Sequence, residues 1–253
     1  MRLLTVALRG PGKVLLPASA AGWIALAWLL SGDRLAHSAV RLTHGDHAVV
    51  ATASPMSHSL GHFMAMWLAM VLAMAPPLLL REIGRLWRAS LRRLRPVTIA
   101  WFLTGYVGIW MLAGVALAPL LGWVTVSSAR IVLAVALIAL WHCSPARQRC
   151  LNACHRVPTL RVFGTAAQLD SLRYGVATGC YCAATCSLVM LLVLLVKDYH
   201  LIGMAVTAAV ATLERHLPAR RPGWQLPLLR GRPPDWPDTA LAMPGRNVQH
   251  HAP

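Results

Sequence analysis

Six apolar stretches, each close to the length of a bilayer crossing, constrain this chain more than any other feature. They lie at about 14–31, 59–80, 97–121, 129–143, 171–196 and 201–217. A spanning helix needs about 20 mostly apolar residues, so each stretch reads as a transmembrane helix, the fourth being the shortest. Composition agrees. Of 253 residues, 57% are hydrophobic and 13% charged, with a mean hydropathy of +0.56, too little polar material to clothe a water-soluble domain of this size.

The formal charge of +16 must be located before it is given a partner. Arg2, Arg9 and Lys13 precede the first stretch; Arg81, Arg85, Arg88, Arg92, Arg93 and Arg95 follow the second; Arg147, Arg149, Arg156 and Arg161 follow the fourth. The alternate intervals are nearly bare, with Arg34 and Arg41 offset by Asp33 and Asp46, and no charge at 122–128. By the positive-inside rule this alternation predicts an all-α integral membrane protein with six transmembrane helices and both termini cytoplasmic. Topology thus accounts for the basicity, and no nucleic-acid partner is expected. A cleaved signal peptide is the alternative for the first stretch, disfavoured because its apolar run exceeds the usual ~7–15 residues. The membrane domain is expected over 1–217. Residues 218–253, basic and proline-rich, read as a disordered cytoplasmic tail.

Soft or borderline metal ligands enter the second helix every fourth residue: His58, His62, Met66, Met70 and Met74. Residues four apart share a helix face. Each step drifts by roughly 40°, so about three consecutive members can face one partner helix and five cannot. Methionine also packs irregular cores without any metal, which is the plainer reading of the stripe. Its continuity with His58 and His62 at the outer end, in an external loop that also holds His37, His44 and His47, favours an entry ramp for metal. Pro76 and Pro77 at the inner end free backbone carbonyls and predict a kink or a cavity.

The fifth helix carries the sharper chemistry. Cys182, Cys186 and Met190 repeat the fourfold spacing, the two cysteines between the inner surface and the midplane and Met190 beyond, while Cys180 points elsewhere. Thiol and thioether donors suit Cu(I), a soft ion of low coordination number, whereas a buried thiol with no metal is simply a small hydrophobe. Gly175 and Gly179 on the same helix form a small-xxx-small pair that favours close packing. The densest ligand cluster lies in the inner loop, where His142, Cys143, Cys150, Cys154 and His155 fall within eighteen residues. Its flanking Arg147, Arg149 and Arg156 are expected to lower the thiol pKa values and favour thiolate. Glu214 reads as the only acid in or near a span, most simply paired with an arginine.

These blocks, in order, resemble the bacterial predicted metal-binding integral membrane proteins of domain-of-unknown-function family 2182, over about 64 to 216. "MWLAMVLAMAPP" looks like its methionine helix, and "FLTGYVGIW" is similar to its Phe-x-x-Gly-Tyr-x-x-x-Trp segment through Phe102, Gly105, Tyr106 and Trp110. "SPARQRCLNACHRVP" resembles its cysteine loop through Pro145, Arg147, Cys150 and a displaced Cys154. "GCYCAATCSLVM" resembles its cysteine helix through Gly179, Cys182, Cys186 and Met190, and "LERHLP" its closing Glu-Lys through Glu214 and Arg215. Thr185 stands where the family usually has a second cysteine and Ser187 where it has tryptophan, so one ligand is lost or replaced, with His200 a candidate substitute.

The resemblance implies metal binding. Together with the donor placement it leads to a membrane protein that binds copper for transport, delivery or homeostasis, with zinc or iron as the other metals its donors admit. External His58 and His62 would capture, Met66, Met70 and Met74 relay, Cys182, Cys186 and Met190 hold, and Cys150, Cys154 and His155 exchange on the cytoplasmic face of a bacterial inner membrane. The expected partners are the lipid bilayer, the metal ion, and a metallochaperone or a membrane-complex subunit. No enzyme activity is expected. A membrane thiol-disulfide oxidoreductase and a non-catalytic scaffold subunit are the alternatives, the first opposed by the poor fit of i,i+4 disulfides to a regular helix.

Overall fold

The computed structural model describes residues 12–44, 60–124, 127–156, 158–161, 164–195 and 199–224. Among them are seven helices and no strand: α1 (Gly12–His44), α2 (Leu60–Ala89), α3 (Arg95–Val124), α4 (Ser128–Cys143), α5 (Pro145–Ala153), α6 (Gly164–Leu195) and α7 (His200–His216). Six match the predicted stretches, several running further. Helix α1 continues to His44, so His37 and His44 lie in a helix and not in the expected external loop. Helix α2 continues through Arg81, Arg85 and Arg88, because arginine is a good helix former and its long stem shields the backbone.

The short α5 was not predicted. Ser144 caps it by accepting a hydrogen bond from the Arg147 backbone N–H at 3.2 Å, and Pro145 sits at its first position, where a missing N–H costs nothing. Ser127 caps α4 in the same way, accepting from the Arg130 N–H. Helices α4 and α5 meet at a bend of 58°.

Helices α2, α3 and α6 are long and apolar enough to cross a membrane, and the bent α4–α5 pair makes up to a fourth candidate. The apolar part of α1, Leu15–Ser31, is shorter. Helix α4 has no buried residue, and Val132, Leu137 and Leu140 are more than half exposed, a surface that suits lipid far better than water.

Helices α3 and α6 share the most extensive contact, set by glycines. A Cβ on Gly175 would strike the Phe102 carbonyl oxygen, and one on Gly105 would lie 2.6 Å from the Leu172 oxygen. With no hydrophobic force between helices in lipid, such close backbone approach supplies the dispersion contact that holds them. Around the seam runs an aromatic chain, with Phe102, Tyr106 and Trp110 on α3 and Trp67 on α2 all buried; Trp67 Nε1 donates to the Trp110 carbonyl at 2.8 Å.

Helix α1 docks on α2 where the prolines fall. Pro77 has no N–H, so the Ala73 carbonyl loses its helical donor. Ser19 Oγ donates to that oxygen at 2.6 Å, and Gly22 lies so close to the Leu72–Ala73 backbone that a Cβ there would be 2.5 Å from the Ala73 nitrogen. Leu26, fully buried, extends the contact. The expected backbone defect is thus a docking point.

Candidate metal centre

Helices α2, α3 and α6 enclose a cavity of about 10 Å³, lined by Val71, Met74, Ala75, Leu78, Tyr106, Trp110, Cys186 and Met190. That is about the room needed for one water-sized occupant. Of the methionine ladder only Met74 lines it. Met70 is buried against other side chains, Met66 and His62 are half-buried further out, and His58 lies outside the described residues. The helical drift that limits a fourfold series to a few members on one face is visible here.

From α6, Cys186 and Met190 face the cavity, and Cys182 lies one turn nearer the helix N-terminus, fully buried. Tyr106 Oη donates to Cys182 Sγ at 3.3 Å. Thr185 Oγ1 donates to the Tyr181 and Cys182 carbonyls and sits 3.5 Å from Cys186 Sγ, so the residue at the position of the second family cysteine is a hydroxyl beside the thiol. His200, the proposed substitute ligand, is not on the cavity wall. Its ring is buried at the start of α7 with Nδ1 3.2 Å from the Val193 oxygen. The donors on hand are two thiols and two thioethers, with no carboxylate among them, a soft set that fits Cu(I) far better than a hard cation.

The segment with Cys150, Cys154 and His155 is arranged differently from its expected reading. Among the described residues no three His, Cys, Asp or Glu side chains converge on one point, so Cys150, Cys154 and His155 form no closed three-ligand set. Their arginines do not make a thiolate of Cys154. Burial pushes that thiol up to about 11; Arg215 pulls the other way, and Cys182, Glu82 and Cys150 add to the rise. Desolvation outweighs the nearby cation because the partly buried thiol is packed against its neighbours. His155 titrates below the usual histidine range, first from burial and then from Arg81, Arg85, Arg215 and His216, which keeps its imidazole neutral and able to act as a donor atom.

Two acids lie among these arginines. Glu214 takes Arg147 in a two-pronged ion pair at 3.2 and 2.5 Å, the partner type expected for it. It is not the only acid there. Glu82 on α2 is buried, and its Oε2 has no hydrogen-bond partner among the described residues. It continues the spacing of Met66, Met70, Met74 and Leu78 by one further step, a signal the arginine run around it conceals. Arg215 is buried as well, with Nη1 donating to the Leu78 carbonyl at 3.4 Å and Nη2 to Cys154 Sγ at 3.7 Å.

The fold and site together define a class: a helical protein, with several helices of membrane-crossing length, that holds thiol and thioether groups around an atom-sized space between them. Residues 64–227 match the family model PpoB2, described as copper chaperone. The chain belongs to that family. The match covers the five blocks that carry the resemblance to family 2182 and supports copper in particular, without bearing on that family name. No curated protein matches the chain. No solved structure matches it.

Proposed function

We propose that this chain is a membrane-embedded carrier that holds one Cu(I) between α2 and α6 and delivers it. The ion is cargo. Cys186, Met74 and Met190 would hold it in the cavity, with Cys182, oriented by Tyr106, as the adjacent thiol. His58 and His62 would take the metal from the outer face, with Met66 and Met70 leading inward. The chain would cross a bacterial inner membrane six times, with both termini in the cytoplasm as the alternation of arginine suggests. The convergence of Met74, Cys186 and Met190 on one small cavity carries this reading, and membership of a copper chaperone family supports it.

X-ray absorption on the Cu(I)-loaded, detergent-purified chain tests the ligand set. The expected first shell contains sulfur only, about two or three scatterers, and it changes in Met74→Leu and Cys186→Ser. A shell dominated by nitrogen or oxygen, or one indifferent to both substitutions, would sink the assignment. Reporter fusions test the topology. Fusions after residue 217 should read cytoplasmic and those within 122–128 external, and the reverse pattern would overturn the orientation.

A further inference from the structure

Apart from the copper cavity the structure holds a larger opening, a groove of about 370 Å³ between α6 and the segment that follows α5. The segment contributes Arg156 and Pro158 to its wall, and α6 contributes Arg173, Tyr174, Ala177 and Tyr181. Asp170, Arg173, Ala177 and Tyr181 recur every three or four positions and so share one helix face. From Asp170 to Tyr181 that face rises about 16 Å. Asp170 and Arg173 are the last charged residues of α6, which runs on to Leu195 without another. The groove therefore starts among charges and ends in the apolar part of a helix long enough to cross a membrane.

The charge at its mouth is positive. Asp170 is neutralised by Arg161, whose Nε and Nη2 donate to its two carboxylate oxygens at 2.8 Å each. Arg156 and Arg173 are both exposed, and among the described residues neither guanidinium has an ion pair or a hydrogen bond. Two positive charges are thus left at the charged end of a groove whose far end is apolar.

We propose that this groove binds one anionic phospholipid, with its phosphate on Arg156 and Arg173 and the start of an acyl chain along Ala177 and Tyr181. The inference goes beyond the copper reading and takes from it only that the helices lie in a membrane. Two guanidinium groups offer forked N–H donors that suit phosphate oxygens. Charge alone would accept any anion. The apolar continuation of the same wall selects one that carries hydrocarbon, and a volume within the ~300–1,000 Å³ of small-molecule sites holds a headgroup and the first part of a chain. A zwitterionic lipid has the chain, but its ammonium group is repelled by the arginines. Tyrosine on this face suits the boundary between headgroup and acyl chain. Basic pockets beside membrane helices recognise anionic headgroups in this way. Ala177 is exposed about one turn from Arg173, so a lipid can enter sideways from the bilayer.

Native mass spectrometry tests this on the full chain in detergent, titrated with phosphatidylglycerol or with phosphatidylcholine of the same acyl chains. The parent should retain one phosphatidylglycerol at concentrations that leave phosphatidylcholine unbound. Arg156→Gln with Arg173→Gln should weaken retention about thirtyfold, about fivefold for each charge. Arg92→Gln with Arg93→Gln, which removes the same charge from two exposed arginines outside the groove, should leave it unchanged. Ala177→Phe, which keeps both arginines and fills the apolar end, should also weaken retention, and it decides the matter if the groove double variant does not fold. Glycerol phosphate, which has no acyl chain, should fail to displace the lipid. Equal retention of the two lipids, equal losses in the two double variants, or full retention in Ala177→Phe would overturn the site. Displacement by glycerol phosphate at the lipid's own concentration would show a free-anion pocket and overturn it as well. A chain that stays monodisperse without detergent or lipid refutes the membrane reading itself, whereas a detergent-dependent chain indifferent to phosphatidylglycerol refutes only the lipid site.

Discussion

Cys154 shows how a thiol among arginines stays protonated. Desolvation of the anion outweighs the attraction of Arg215, and the pKa near 11 lies above the thiol's ordinary value. The sign of the linkage follows. A proton held more tightly in the folded state stabilises the fold below the unfolded thiol pKa of about 8.5, and that contribution is lost as pH rises toward the folded value. Maleimide labelling of Cys154 in a chain whose other cysteines are replaced should therefore remain below half its plateau rate at pH 9 and climb toward pH 11. A midpoint near pH 8.5 would show an ordinary solvated thiol and contradict the burial. The donors themselves were legible in the sequence, because Met74, Cys182, Cys186 and Met190 stand out as soft residues at a helical interval. Glu82 and Arg215 were not. Each sits toward the C-terminal end of a helix among arginines, where a charged residue reads as an interfacial flank, and only the packing of α2 against α7 reveals that both are buried.

At the scale of the element, sequence length and apolar content marked six of the seven helices but not how they meet. The α3–α6 seam depends on glycines whose role is invisible without the partner. Gly175 reads as one half of a small-residue pair, but its closeness to the Phe102 carbonyl belongs to the folded structure alone. Gly175→Ala should lower detergent stability by about 1–3 kcal/mol through overpacking, read as a fall in the midpoint of a thermal size-exclusion series. Gly108, whose Cβ would meet nothing within 4 Å, should tolerate the same change. Equal stability of the two variants would refute the seam. The α1–α2 contact was half legible. Pro76 and Pro77 announced freed carbonyls, but nothing in the sequence named Ser19 as the donor to the Ala73 oxygen 54 positions away. The cap at Ser144 and Pro145 was readable from residue types and marks α5, which brings Arg147 to Glu214.

For the whole molecule, the arrangement is a set of apolar helices that excludes hard ligands from one interior space and gathers basic and thiol groups at one end. The alternation of arginine along the chain and the family match over residues 64–227 concern different properties, orientation and cargo, and both are needed for the proposed delivery across or along a membrane. The central claim is that this interior holds copper through the α6 thiols. Elemental analysis of the detergent-purified full chain after Cu(I) loading and desalting tests it most directly. The account predicts one copper per chain in the parent, and loss of most of it when Cys182 and Cys186 are both replaced by serine in a chain that remains monodisperse. A parent chain that emerges without copper, or a double variant that retains as much copper as the parent, would contradict it.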